Sequence, residues 1–326
     1  MAHELSIRED GFVEFAFTGE RNAIWHGLGN QMEDASDFQK WKEMSGMDWM
    51  IKSTKLNYNV DDKVITIPNK NVLYRSDTGA DIGIVSNRFK VVQPNEILDF
   101  FQEVCEKNKM KMSTAGVLFG GRRFWGLAEI NAEDVKTGDT VKNNILLMTG
   151  TDGTYSTTAK HVSTRVVCNN TLEVAMSEND KNVIRVRHSQ VFDAKKVMLD
   201  MDLIQKNFEE FMQTLRTMSD VKMTGAQQSK FVRDMILGDQ VEEEIRKASQ
   251  KKIDEIMMKI QFGDGAAQFG HDSVYGLLNG ITNVFTHGYN SSWKSKSKIF
   301  DSSSIGEFNK IKTQSFLTLK DMLETV

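Results

Sequence analysis

Residues 143–176 read NNILLMTGTDGTYSTTAKHVSTRVVCNNTLEVAM. Two β-rich runs, Asn144 to Thr149 and Thr154 to Val167, flank Asp152-Gly153, a pair whose tolerance of positive φ favours a hairpin turn. Asn170-Thr171 then supplies the side-chain oxygens of a helix N-cap, with Glu173 in the first turn and Leu172, Ala175 and Met176 on an apolar side. Strand, strand, helix is the unit to which the neighbouring segments attach.

Upstream of it, Met112 to Phe119 and Arg122 to Ile130 are strand-like runs joined by Gly120-Gly121, a second hairpin signal. Pro94 opens a helix whose buried stripe is Ile97, Leu98, Phe101, Val104 and Cys105. Leu56 to Tyr74 predicts short strands, and Ile82 to Val92 a strand pair broken near Asn87. Downstream, Ile204, Phe208, Phe211, Leu215 and Met218 recur at helical spacing, followed by helical stretches at Ala226–Leu237, Val241–Ile260 and Asp272–Phe285. SSWKSKSKIFDSSS then reads as a mobile basic loop. The fold class expected is α+β: a largely antiparallel sheet with helices on one face, followed by a helical C-terminal half. The domains expected are an acidic arm at 1–60, an α+β core at 61–190 and a helical region at 191–326.

The 326 residues, 40% hydrophobic and 26% charged, describe a globular chain. No apolar run approaches the ~20 residues of a membrane span, and MAHELSIRED is no secretion signal, so a cytoplasmic protein with no membrane partner is expected. Cys105 and Cys168 are too few for a disulfide framework or a cysteine zinc site and read as buried thiols. The net charge of −4 is unevenly spread: residues 1–51 hold four Lys/Arg against ten Asp/Glu, and residues 52–130 hold twelve against nine. An anionic ligand therefore fits the second part better than the first.

Strand alternation places Arg88 and Lys90 on one face, opposite Phe89 and Val91. It also pairs Arg123 with Trp125, a cation beside a ring that could stack a base, while Arg122 stands next to them in the hairpin. Other chemistry is poorly supported. TGAQQSK at 224–230 lacks the second glycine of a P-loop, which argues against ATP hydrolysis. His161 and Cys168 fall on opposite strand faces, and His26 has no ligand partner at metal spacing. Glu129, Asp139 and Asp152 could converge as in a metal-dependent nuclease, but no diagnostic spacing supports it.

The chain resembles a family of phage- and plasmid-borne proteins classed as domain of unknown function 932. The likeness rests on MAHEL at the start, WHGLG at Trp25–Gly29, NRFKVVQ at Asn87–Gln93, GGRRFW at Gly120–Trp125 and DGT at Asp152–Thr154. RVVCNNTL at Arg165–Leu172 and YGLLNGITNVFTH at Tyr275–His287 complete it. The element order of residues 82–176 is also similar to the core of single-strand annealing recombination proteins, the Red beta, RecT and Erf types. The first resemblance implies a phage or plasmid protein in a bacterial cell; the second implies that it binds single-stranded DNA and anneals it in recombination or replication, with no catalytic residue, ATP, cofactor or metal. It further implies a homo-oligomeric ring or filament, with a phage exonuclease or a host single-strand-binding protein as partner. The candidate residues for that binding follow from the strand faces: Arg88, Lys90, Arg122, Arg123, Lys160 and Arg165 for phosphates, and Trp125 and Tyr155 for stacking. The alternatives are a non-catalytic mobile-element protein that binds a host or phage protein, and a metal-dependent nuclease.

Overall fold

The computed structural model describes residues 6–19, 28–165, 170–173, 183–193, 195–197, 206–238, 247–287 and 296–324. MAHEL, the Trp25, His26 and Gly27 of WHGLG, residues 166–169 with Cys168, Ala175, Met176, Ile204 and the 241–246 part of the helix expected from Val241 lie outside them. The chain divides into two compact units that interleave in sequence. Unit 1 takes residues 1–130, 145–160 and 183–202; unit 2 takes 131–144, 161–182 and 203–326. The fold is α+β, with a large, mainly antiparallel sheet and a helical C-terminal half.

The strands are β1 (Phe15–Phe17), β2 (Asn30–Gln31), β3 (Ile51–Val60), β4 (Lys63–Arg75), β5 (Asp81–Ser86), β6 (Lys111–Leu118), β7 (Arg123–Asp134), β8 (Thr140–Gly150), β9 (Thr157–Arg165), β10 (Asn170–Glu173) and β11 (Val183–Val186). Eight form one sheet in the order β10-β9-β8-β7-β6-β1-β2, with β11 also paired to β9. In it β1 runs parallel to β2, whereas β1–β6, β6–β7, β9–β10 and β9–β11 are antiparallel pairs. β3, β4 and β5 form a separate antiparallel sheet.

Unit 1 includes the helices α1 (Phe38–Met44) and α2 (Pro94–Asn108). The α2 stripe predicted by spacing is buried: Ile97, Leu98, Phe101 and Val104 pack with Met112, Phe124 and Ala128 in one core. Cys105 is a buried free thiol, and burial, with the neighbouring Glu106 charge, pushes it up to about 12. The acidic N-terminal segment is partly neutralised within the same unit. Glu14, fully buried, accepts from both terminal nitrogens of Arg75 (2.6 and 3.0 Å) and from Arg8 Nε (2.9 Å).

The β6–β7 hairpin turns through a 3-10 segment, Phe119–Gly121, with positive φ at all three residues, one residue longer than the Gly120-Gly121 turn expected. Opposite Gly116, across the pair, lies Trp125. A Cβ on Gly116 would sit 2.3 Å from Trp125 Cη2, so the missing side chain makes room for the indole. Gly116→Ala should destabilise the fold by about 1–3 kcal/mol through overpacking, read as a lowered denaturation midpoint with altered tryptophan emission. An unchanged midpoint would refute that packing.

Unit 2 is mainly helical: α3 (Lys206–Asp220), α4 (Gly225–Leu237), α5 (Lys247–Phe262), α6 (Ala266–Phe269), α7 (Val274–His287), α8 (Lys296–Ser304) and α9 (Glu307–Glu324). The predicted stripe Phe208, Phe211, Leu215 and Met218 is buried with Ile256, Ile260, Leu277, Ile281 and Phe316. α7 is buried over most of its length, and Gly280 lets it approach α5, since a Cβ there would meet Ile260 Cγ1 at 2.3 Å. TGAQQSK is a capping box: the Thr224 hydroxyl accepts from Gln227 N–H (3.3 Å), and Gln227 Oε1 accepts from Thr224 N–H (2.8 Å).

Four expectations are corrected. Asn170–Glu173 is strand, not the start of a helix, because its backbone pairs with β9 from Arg165 to Val162. Residues 87–93 hold no strand; Phe89 N–H bonds back to Ser86 in a turn, and Lys90 N–H goes to His188 O. The Ser/Lys segment, expected as a loop, is helical from Lys296, and α9 follows it within the C-terminal region expected to be helical. The short strands expected in Leu56–Tyr74 are one long hairpin of 10 and 13 residues. Among the described residues no helix is long and apolar enough to cross a membrane.

Candidate functional site

The eight residues singled out for DNA separate by burial. Arg88, Lys90 and Arg122 are exposed and Tyr155 is half-buried, whereas Arg123, Trp125, Lys160 and Arg165 are buried. Trp125 stacks on Phe15 at 5.7 Å between ring centroids, so its ring is core rather than a platform for bases. Arg165 belongs to unit 2, where Nε and Nη2 grip the two oxygens of fully buried Asp139 at 2.6 and 2.8 Å. Its Nη1 donates to Asp264 O at 3.2 Å, and its guanidinium lies 5.3 Å from the Phe269 ring and 5.4 Å from that of Tyr275. Lys160, 1% exposed, offers no surface to a phosphate.

Arg123 builds the site instead of facing a ligand. The β8–β9 connection, residues 151–156, is held to the β6–β7 turn by Thr151, whose N–H donates to Arg122 O (3.1 Å) and whose hydroxyl donates to Gly121 O (2.7 Å). Asp152 Oδ1 accepts from the Thr154 N–H (3.1 Å), the Thr154 hydroxyl (2.7 Å) and Arg123 Nη1 (2.8 Å). The chain turns around Asp152-Gly153 through a six-residue connection rather than a two-residue hairpin turn; Gly153 takes a positive φ of 82°, Asp152 does not, and the Asp152 carboxylate locks the loop. The Arg123 guanidinium covers the Tyr155 ring at 4.4 Å.

Burial alone would push the Asp152 carboxyl up, but the Thr154 hydrogen bonds and the Arg123 charge outweigh it and hold the group below its ordinary range. The stabilisation is therefore present above the ordinary carboxylate pKa and is lost as pH falls through the lower folded value. Between about pH 5 and about pH 2, the thermal midpoint of the wild type should fall more steeply than that of Asp152→Asn. Parallel pH profiles would contradict this role.

Three segments of unit 1 meet beside this loop and enclose a cleft of about 270 Å³. Ser86, Arg88 and Phe89 come from the end of β5 and the turn after it, residues 153–156 from the loop, and Arg187, His188 and Ser189 from the turn after β11. His188 ties the three together. Its ring stacks on Phe89 at 4.3 Å, with Nδ1 3.0 Å from Lys90 O and Nε2 2.9 Å from Tyr155 O. A neutral imidazole can donate to one of these carbonyls, and a doubly protonated ring to both. Arg88 and Arg187 are exposed, and no carboxylate is among the lining residues. Two guanidinium groups, several hydroxyls and ring surface suit an anion attached to a planar group.

Arg187 and His188 match no motif, so reasoning from sequence passes over them; the available signal is the alternation of Arg185 and Arg187 in VIRVRHS. Among the described residues no group of three or more His, Cys, Asp or Glu could hold a metal ion. Asp139 and Asp152 are each engaged by an arginine.

No curated protein and no solved structure matches the chain. The family described as domain of unknown function (DUF932) matches residues 81–310, a span that contains the hairpin turn at 119–121, all the cleft residues and helices α3 to α8. With more than half of its length matched, the chain belongs to the DUF932 family.

Proposed function

We propose that the chain is a single-stranded DNA-binding and annealing protein of a phage or plasmid, acting in recombination or replication without ATP. The observation that carries this reading is the cleft with Arg88 and Arg187 at its exposed edge and the rings of Tyr155 and Phe89 in its wall. In this proposal the arginines hold successive phosphates, and a base lies against Tyr155. Exposed Lys90 and Arg122 add positive charge along the same unit. A volume of about 270 Å³ suits about one nucleotide, so the strand would cross the cleft and leave neighbouring bases open to a complementary strand.

The proposal includes a homo-oligomer, ring or filament, in the bacterial cytoplasm, and a phage exonuclease or host single-strand-binding protein as partner. The test is incubation of the purified protein with a labelled single strand and its complement, with and without magnesium. Salt-sensitive binding and annealing in the absence of magnesium are expected. No binding would overturn the proposal, and magnesium-dependent cleavage would replace it with a nuclease.

A further inference from the structure

The hairpin of β3 and β4 has no assigned role. From Lys52 to Lys70 every residue is exposed except the half-buried Leu56 and Ile67. β5 pairs only with residues 70–74 of β4, so over Asn57–Thr66 the arm is two strands alone, an arrangement only marginally stable by itself in water. Its two edges differ. Between the pairs Lys55–Asn71 and Asn57–Thr66, β4 has the four residues 67–70 against the single Leu56 of β3. That bulge contains Pro68, which has no N–H, and Asn69 at φ 60°, so the edge of β4 is blunted. β3 runs without proline from Ile51 to Val60 and ends its sheet, and among the described residues no strand pairs with its outer edge. The Gln93 side chain holds the N–H and C=O of Ile51 on that edge (2.8 and 3.1 Å), and by alternation the backbone groups of Ser53, Lys55, Asn57 and Asn59 point the same way.

The residues along this open edge complement themselves when two copies run in opposite directions. Leu56, Tyr58 and Val60 share one face, with Tyr58 47% and Val60 46% exposed, and Lys55, Asn57 and Asn59 share the other. Charge changes sign along the arm: Lys52, Lys55 and Lys70 lie toward its base, while Asp61 and Asp62 outweigh Lys63 at its tip. A parallel copy would set like charge on like, whereas an antiparallel copy brings each acidic tip to the other's basic base. With Tyr58 level with itself, Asn57 meets Asn59, Leu56 meets Val60 and Lys55 meets Asp61, each twice. A slip of two residues one way sets Leu56 against Asp62, and the other way sets Lys55 against Asn59 and Asp61 against Ser53. A slip of one turns the outward backbone groups of one strand away from the other.

We propose that β3 pairs antiparallel with β3 of a second copy of this chain, two-fold about Tyr58, so that the two arms form one four-stranded sheet. Asn57 and Asn59 of the two copies then exchange backbone hydrogen bonds, the two tyrosines lie side by side, and an ion pair between Lys55 and Asp61 closes each end. The inference rests on the homo-oligomer of the proposed function and gives it one interface. A two-fold contact closes at two copies, so a ring or filament uses a further contact. No cleft residue takes part, and the pairing is therefore measurable without DNA.

The experiment is sedimentation velocity of the full chain over a range of concentrations, because an edge pair of this length is at the small end of interface sizes. The wild type should self-associate. Lys55→Asp sets aspartate against Asp61, and Asp61→Lys sets lysine against Lys55, so each alone should weaken association at least about tenfold. An equimolar mixture of these two variants should associate like the wild type, since every facing pair is again of opposite charge. Circular dichroism and the thermal midpoint should not change, because both side chains are exposed. Single variants that associate like the wild type, or a mixture that stays apart, would overturn the pairing. Anisotropy with a labelled single strand is read on the same proteins. A wild type that binds the strand but sediments as a monomer at every concentration would overturn the pairing alone. A chain that associates in the expected pattern but binds no strand would support the pairing and overturn the cleft.

Discussion

Arg165→Ala is expected to cost roughly 3–5 kcal/mol of folding stability, because it removes one partner of a buried ion pair and leaves the other in place. Asp139 is 0% exposed, and both its oxygens are held by Arg165 at 2.6 and 2.8 Å. Without the guanidinium the carboxylate must stay charged and unpaired or take up a proton, and either outcome destabilises the folded chain. Arg165→Lys keeps the charge but not the two-pronged geometry, and an intermediate loss is expected. Replacing Arg165 and Asp139 together by apolar residues of similar size should recover much of the loss, since no orphaned charge is left. Urea denaturation followed by circular dichroism reads all three. A loss below about 1 kcal/mol for the alanine variant would show that Arg165 is solvated, as a DNA contact would require.

The second large effect is expected on binding rather than stability. Arg88→Ala with Arg187→Ala should weaken single-stranded DNA at least about tenfold, because charge-assisted hydrogen bonds to phosphate contribute about 1.5–3 kcal/mol each. Both side chains are exposed, so the unfolding free energy should stay within about 0.5 kcal/mol of the wild type. Arg123→Ala should behave differently: it releases Asp152, Thr154 and the ring of Tyr155, so stability and binding should fall together. The two variants therefore separate residues that touch the strand from one that shapes the loop.

Much of the fold was legible because periodicity reports which residues share a face. The α2 stripe and the Phe208–Met218 stripe are both buried as their spacing predicts. The β8–β9 and β6–β7 strand pairs lie where their turn glycines put them, though both connections are longer than the two residues expected. Periodicity does not say whether a face meets solvent. Arg123 and Trp125 share a face as expected, but both are buried, and Phe15 of β1 covers the indole. The partners that bury Arg123 and Arg165 lie 29 and 26 residues away, so only the tertiary fold brings them together. The same limit hid the cleft, whose walls come from three segments and whose tie, His188, sits in no motif. Asn170–Glu173 shows the opposite failure: a locally sound N-cap signal gave way to pairing with an available β9 edge.

The measurement that tests the central claim most directly is the salt dependence of single-stranded DNA binding by the wild type and by Arg88→Ala with Arg187→Ala. If the cleft holds phosphates, log affinity falls linearly with log salt for the wild type, and the slope of the double variant is shallower by about 1.4. Equal slopes and equal affinities for the two proteins would contradict the cleft as the binding site.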